Sequence, residues 1–203
     1  MAWLGAAIKR HKLHYRPRHD EAGSADAGVV REGRYASQEI TDCYDLRDTY
    51  NMDETGLYYT AAPGRSICSA TAKGVKKDKN RLTLALTTNA DGSDSLPVQF
   101  IGKAQKPRCF DKQTAEQLGY LYRKSTKAWM NSQICQHWLL QLDKEMRAAK
   151  LHILQLVDNV SSHALGGMVL ANNKVQKLPA NITINLQPLD TGVISRHAFN
   201  RYR

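Results

Sequence analysis

The sequence predicts an α/β domain built on a mixed sheet, an antiparallel meander plus parallel strands, flanked by helices. Three observations predict it. Leu82, Leu84 and Leu86 alternate with Thr83, Ala85 and Thr87, the period of a half-buried strand. Cys135, Trp138, Leu139, Leu142, Met146 and Ala149 recur at helical spacing and make one apolar stripe, with Lys144, Glu145 and Arg147 on the other face. The stretch Leu151-His152-Ile153-Leu154-Gln155-Leu156-Val157-Asp158-Asn159 then holds a short apolar run bounded by polar residues, which reads as a buried strand of a covered sheet. The chain of 203 residues is one domain of ordinary size with something short attached, and 42% hydrophobic with 24% charged residues excludes wholesale disorder.

Taken in order, Met1 to His19 pairs an apolar helical spacing at Trp3, Leu4, Ala7 and Ile8 with the cations Lys9, Arg10, Lys12, Arg16 and Arg18. Such an amphipathic piece suits a phosphate backbone, with a frayed basic terminus as the equal alternative. Glu21 to Val30 has linker composition, and Ser37 to Leu46 is weakly amphipathic, a short helix leading into the first strand. That strand carries Tyr50, Met52 and Asp53, and Gly56 is expected to turn the chain. Tyr58 and Tyr59 read as packing residues. The segment Lys73 to Arg81 is a basic loop, either solvated or a phosphate contact through Lys73, Lys76, Lys77, Lys79 and Arg81.

Beyond the first alternating strand, Asn89 to Ser93 has turn chemistry, and Leu96, Val98 and Phe100 alternate on the return. Lys103 to Lys127 is irregular and basic. Asn131 or Ser132 caps the amphipathic helix. Val175 to Leu178 is a short strand closed by Pro179, and Pro188 suits the first turn of a last helix carrying Asp190. Strand-strand-strand-helix-strand, followed by a short strand and a helix, is the order of a ribonuclease H-like fold.

The net charge of +10 suits a polyanionic partner, nucleic acid being the commonest, with a basic but solvated surface as the equal alternative. Cys43, Cys68, Cys109 and Cys135 are too far apart for a zinc site and read as reduced thiols. No secretory signal is evident, so the sequons at Asn159 and Asn181 are chance matches. No apolar run approaches the ~18 residues of a membrane span. A soluble, intracellular chain with no small-molecule cofactor is expected.

A covered strand that runs straight into Asp158 sets a carboxylate at its C-terminal end, where α/β sheets hold their sites. Asp53 on the first strand and Asp190 near a late helix start are placed to meet it. Three aspartates from separate parts of one sheet point to divalent ions. Two Mg²⁺ (or Mn²⁺) ions would activate a nucleophile and stabilise the leaving oxygen in phosphodiester cleavage. Glu54, Asn159 and His163 would then orient ligands or phosphate. A turn or cap role is the alternative for any single aspartate.

Asn51-Met52-Asp53-Glu54-Thr55-Gly56, Gly74 to Arg81, Asn89-Ala90-Asp91-Gly92, Asp158-Asn159 with His163, and Gln187-Pro188-Leu189-Asp190 before Gly192-Val193-Ile194 occur in one order. Together these blocks resemble the catalytic domain of pogo/Tigger-type DDE transposases, shared with centromere protein B and the jerky-like proteins. The resemblance covers about residues 45 to 203. It implies a ribonuclease H-like fold, a metal-binding catalytic triad of Asp53, Asp158 and Asp190, and DNA as transposon ends and target. Strand cleavage followed by strand transfer would take place in the nucleus, with dimerisation left open. Residues 1–20 then read as a remnant of the family's helix-turn-helix module and 21–44 as linker and short helix.

Three departures are visible. Most of the DNA-binding module is missing, Leu178-Pro179-Ala180-Asn181-Ile182-Thr183 stands for Leu-Pro-Pro-Asn-Thr-Thr, and Gln155 interrupts an apolar strand. With the end so soon after Asp190, a truncated copy is expected. An active Mg²⁺-dependent endonuclease domain is the first reading. A domesticated, catalytically silent DNA- or chromatin-binding scaffold is the second, and a poorly folding remnant the third.

Overall fold

The structure is a computed structural model that describes residues 27–60 and 80–179. The N-terminal remnant, most of the basic loop and the segment carrying Asp190 lie outside the described residues. Among those described, one sheet of six strands has the order β4-β3-β2-β1-β5-β6. Its strands are β1 (Thr49–Leu57), β2 (Leu82–Asn89), β3 (Gln99–Gly102), β4 (Leu121–Lys124), β5 (Ile153–Val157) and β6 (Asn173–Lys177), with helix α1 (Ala27–Thr41) before β1 and α2 (Ser132–Ala149) before β5. The pairs β1–β2 and β2–β3 are antiparallel, so the expected meander is present. The pairs β1–β5, β5–β6 and β3–β4 are parallel. Consequently β2 alone runs against the others, and the C-terminal ends of β1, β3, β4, β5 and β6 share one edge.

The amphipathic helix forms as its sequence dictates. Asn131 is the cap, its Oδ1 accepting from the Ile134 N–H at 2.9 Å, and Lys150 ends the helix in the left-handed region at φ 58°. Cys135, Trp138, Leu139, Leu142 and Met146 are buried against Tyr50, Met52, Ala85, Ile153 and Val157, whereas Ala149 is exposed. Burial pushes the Cys135 thiol up to about 12, so it is an inert core group. Cys43 and Cys109 are also free thiols.

Asp143 breaks the helix's apolar pattern and is nonetheless buried, at 5% exposure. Its Oδ1 accepts the backbone N–H groups of Asn172 at 2.7 Å and Asn173 at 3.1 Å, while Arg147 Nη2 lies 3.4 Å from Oδ2. The helix thereby fastens the start of β6, a link that the stripe of apolar residues gives no hint of.

Several expectations need correction. Helix α1 begins at Ala27 and ends at Thr41, so the helix takes in the last residues of the expected linker and stops short of Leu46. Gly56 makes no turn; it lies inside β1, paired with Thr83. The return strand starts at Gln99 rather than Leu96, because Pro97 has no N–H for the ladder and only Ser95 bridges to Thr88 before it. Within the stretch expected to be irregular, Leu121–Lys124 forms an edge strand parallel to β3. It is held by aromatic rings rather than by alternation: Phe100 meets Tyr120 edge-on at 5.7 Å, Phe110 meets Tyr122 edge-on at 5.2 Å, and Tyr122 Oη donates to the Ala104 carbonyl at 2.7 Å. The last described strand is Asn173–Lys177, two residues ahead of the expected start.

Gln155, the polar intruder in β5, is fully buried and its Nε2 donates to the Leu156 carbonyl at 3.2 Å, while its Oε1 has no partner. Asp143→Ala is expected to lower unfolding free energy by about 1–3 kcal/mol, since it strands the buried N–H of Asn173 and the half-buried N–H of Asn172. Arg147→Ala should change it by no more than about 0.5 kcal/mol, as the exposed partner of that pair. Urea titration of both variants checks this.

Candidate active site

The register of β1 against β5 pairs Thr49 with Leu154, Tyr50 with Gln155 and Asn51 with Leu156. Carried two residues past the last pair, that register brings the backbones of Asp53 and Asp158 level, on strands about 4.8 Å apart. Asn51 Nδ2 donates to the Leu156 carbonyl at 3.3 Å and ties the two strands just below this point. Asp53 is nearly buried, at 9% exposure, within β1 opposite Leu86 of β2. Asp158 follows the last residue of β5 and is partly exposed. Alternation along β1 sends Asp53 to the face opposite Met52 and α2, and Glu54 to the α2 face.

On that α2 face His163, at 1% exposure and in a 3-10 turn at Ser161–His163, bridges two carboxylates. Its Nε2 lies 2.9 Å from Glu54 Oε1, and its Nδ1 is paired with Asp158 Oδ1. Both ring nitrogens face acceptors, which only the imidazolium satisfies as a double donor. Burial opposes that charge, but the hydrogen bonds to Asp158 and Glu54, with their negative charge, outweigh it and push the ring pKa from 6.5 up to about 10. The ligand-type atoms of Glu54, Asp158 and His163 lie within 4.8 Å of one another.

The expected supporting residues therefore divide. Glu54 and His163 join Asp158, whereas Asn159 is exposed. Asp190 lies outside the described residues, as do Lys9, Arg10, Lys12, Lys73, Lys76, Lys77 and Lys79. Arg81 is described, and its guanidinium sits over the Trp129 ring, 4.5 Å from the centroid, with Nη1 donating to Tyr58 Oη at 3.3 Å. Tyr58 and Tyr59 are exposed and so are not the packing residues their apolar bulk suggested. Trp129 went unnoticed in the sequence, where a tryptophan amid Ala128 and Met130 carries no sign of exposure. No described helix is long and apolar enough to cross a membrane.

This sheet edge and its carboxylates define a class. The sequence profile of the DDE superfamily endonucleases matches residues 79–203. The chain belongs to that family. Among its relatives, CENP-B homolog protein 2 of Schizosaccharomyces pombe is 32% identical over 209 residues, covering 98% of this chain and 40% of the relative. Tigger transposable element-derived protein 4 of Mus musculus is 33% identical over 165 residues, covering 79% of this chain and 32% of the relative. The chain thus spans well under half the length of these relatives. Among solved structures, the Mos1 mariner paired end complex with Mn aligns with a TM-score of 0.55 at 12% identity, over 96% of this chain and 55% of that one. The fold is ribonuclease H-like.

Replacing His163 by Gln leaves Glu54 and Asp158 without their shared donor and is expected to lower stability by about 1.5–3 kcal/mol at pH 6. A folded-state pKa raised above the unfolded value stabilises fully below about 6.5 and loses its effect as pH climbs to about 10. In chelator-treated buffer, the stability gap between the natural protein and His163→Gln should therefore shrink from pH 6.5 to pH 10. Thermal melts of both proteins across that range check the sign.

Proposed function

We propose that this chain is the catalytic part of a DNA-cleaving and strand-joining enzyme, in which Asp53, Asp158 and Asp190 bind two Mg²⁺ or Mn²⁺ ions. The observation that carries the reading is the in-register pairing of β1 with β5, which brings Asp53 and Asp158 to adjacent strands. The donors fit such ions: carboxylate oxygens are the hard ligands that Mg²⁺ and Mn²⁺ prefer. Bound there, the ions would supply an activated nucleophile and a counter-charge for the leaving oxygen.

The chain's own residues do the rest. Asp53, rigid within β1, fixes one side of the ion site. Asp158, one residue past the end of β5, would complete the site by turning its carboxylate from the α2 face, where His163 holds it, to the Asp53 side. His163 positions Asp158 and offsets its charge, while Glu54 holds the ring from the far side. By this reading the DNA is contacted by Arg81 together with Lys73, Lys76, Lys77, Lys79, Lys9, Arg10 and Lys12. The nucleus follows as the place of action, consistent with relatives named for centromeres, among them human Major centromere autoantigen B, which is 27% identical over 184 residues.

A second reading, a silent DNA-binding scaffold, is favoured by one observation: the Asp158 carboxylate is already engaged by His163. Nicking of supercoiled DNA in Mg²⁺ or Mn²⁺ distinguishes the two. The enzyme reading expects metal-dependent nicking that Asp158→Ala abolishes while the protein still folds, its melting temperature lowered because the buried His163 ring loses one of its two carboxylate partners. A folded natural protein that binds DNA but never nicks it would leave the scaffold. Neutralising Lys76, Lys77 and Lys79 should flatten the log-log salt dependence of DNA binding by about one unit per lost phosphate contact; an unchanged slope would take that loop out of the interface.

A further inference from the structure

We propose that Arg81, Trp129 and Tyr58 form a stacking platform for an unpaired nucleobase of the DNA strand held along the C-terminal edge of the sheet. This deepens the DNA-binding reading above and rests on it. Trp129 is 55% exposed and Tyr58 47%, both large aromatic side chains left open to solvent. Arg81 joins them: its guanidinium carbon lies 4.5 Å from the Trp129 centroid and 5.9 Å from the Tyr58 centroid. A planar cation already seated on an indole is oriented for a further flat ring. Its Nε is buried and has no hydrogen-bond partner.

The position and charge identify the occupant. Tyr58 follows the end of β1, Arg81 precedes β2, and Trp129 follows β4, so the platform stands on the edge that also carries Asp158. Tyr58 is five residues beyond Asp53, about 16 Å further along the chain's extended course. A strand whose phosphate reached the carboxylates would pass over it. The surrounding chain is basic: residues 117–142 contain no Asp or Glu but supply Arg123, Lys124 and Lys127, and Lys103, whose Nζ donates to Asn80 Oδ1 at 3.0 Å, stands nearby in sequence to β3. Phosphates gain from those cations, whereas an apolar peptide does not. Paired bases have both faces covered by their neighbours, so only an unpaired base can offer its face to the platform.

The test compares binding of the full chain to a short oligothymidylate, to an abasic strand of equal length and charge, and to a fully paired duplex. The natural protein should bind the thymidylate about tenfold tighter than the abasic strand, in line with one base stacked on an aromatic side chain. Trp129→Ala should bring the two within about twofold of each other, leaving duplex affinity and its salt slope unchanged, and Arg81→Lys should keep the slope yet lose most of the preference. Should Trp129→Ala lose its melting transition, Tyr58→Ala carries the same comparison. Equal binding of the two single strands by the natural protein, or a preference that survives in the variants, overturns the platform. If the duplex is still bound in that case, the DNA-binding reading stands; if no DNA is bound at all, both fall.

Discussion

Two carboxylates on neighbouring parallel strands repel each other, and a fold that brings them together must hold them there with forces from elsewhere. Pairing of β1 with β5 is that constraint. It brings the backbones of Asp53 and Asp158 level, and much of the described structure reinforces the pairing. Met52 and Val157, buried against α2, lock the two strands from one side. The Asn51 side chain bonds across to β5. On the α2 face, His163 offsets part of the negative charge by sitting between Glu54 and Asp158.

Much of this was legible in the sequence because the relevant elements bury one face regularly. The alternation of β2, the stripe of α2 and the apolar run of β5 each reflect a side wholly in the core, and these elements lie where periodicity put them. Asp158 was legible as a charge at the end of a covered strand. Periodicity fails where burial is irregular. In β4, Leu121 is exposed while Tyr122 and Arg123 are half-buried, and its parallel partner is far away in sequence. Pro97 delayed the return strand by removing a donor, an effect that outweighs the alternation of Leu96, Val98 and Phe100. Helix α1 starts within residues of linker composition, since propensity is a weak guide where packing decides.

Within the site, the residue types were readable but their grouping was not. Glu54 follows Asp53 directly, yet alternation sends the two carboxylates to opposite faces of the sheet. His163 could be named as a neighbour of Asp158 from spacing alone; that it also reaches Glu54, 109 residues away, depends on the packing of the 3-10 turn against α2. Exposure of Trp129 and Tyr58 was hidden for the opposite reason: an aromatic side chain reads as core until its surroundings are known. Arg81, read only as a cation, proves to be held on those rings.

By the proposed function, Asp53 and Asp158 hold a metal ion across the β1–β5 pair. Titration of the chain with Mn²⁺, following the free ion by its paramagnetic resonance signal, tests it most directly, with Asp53→Asn, Asp158→Asn and Glu54→Gln alongside. The account predicts binding by the natural protein, loss of it in both aspartate variants and its retention in Glu54→Gln. Binding that survives in Asp53→Asn and disappears in Glu54→Gln would seat the ion among Glu54, Asp158 and His163 instead, and would contradict the account.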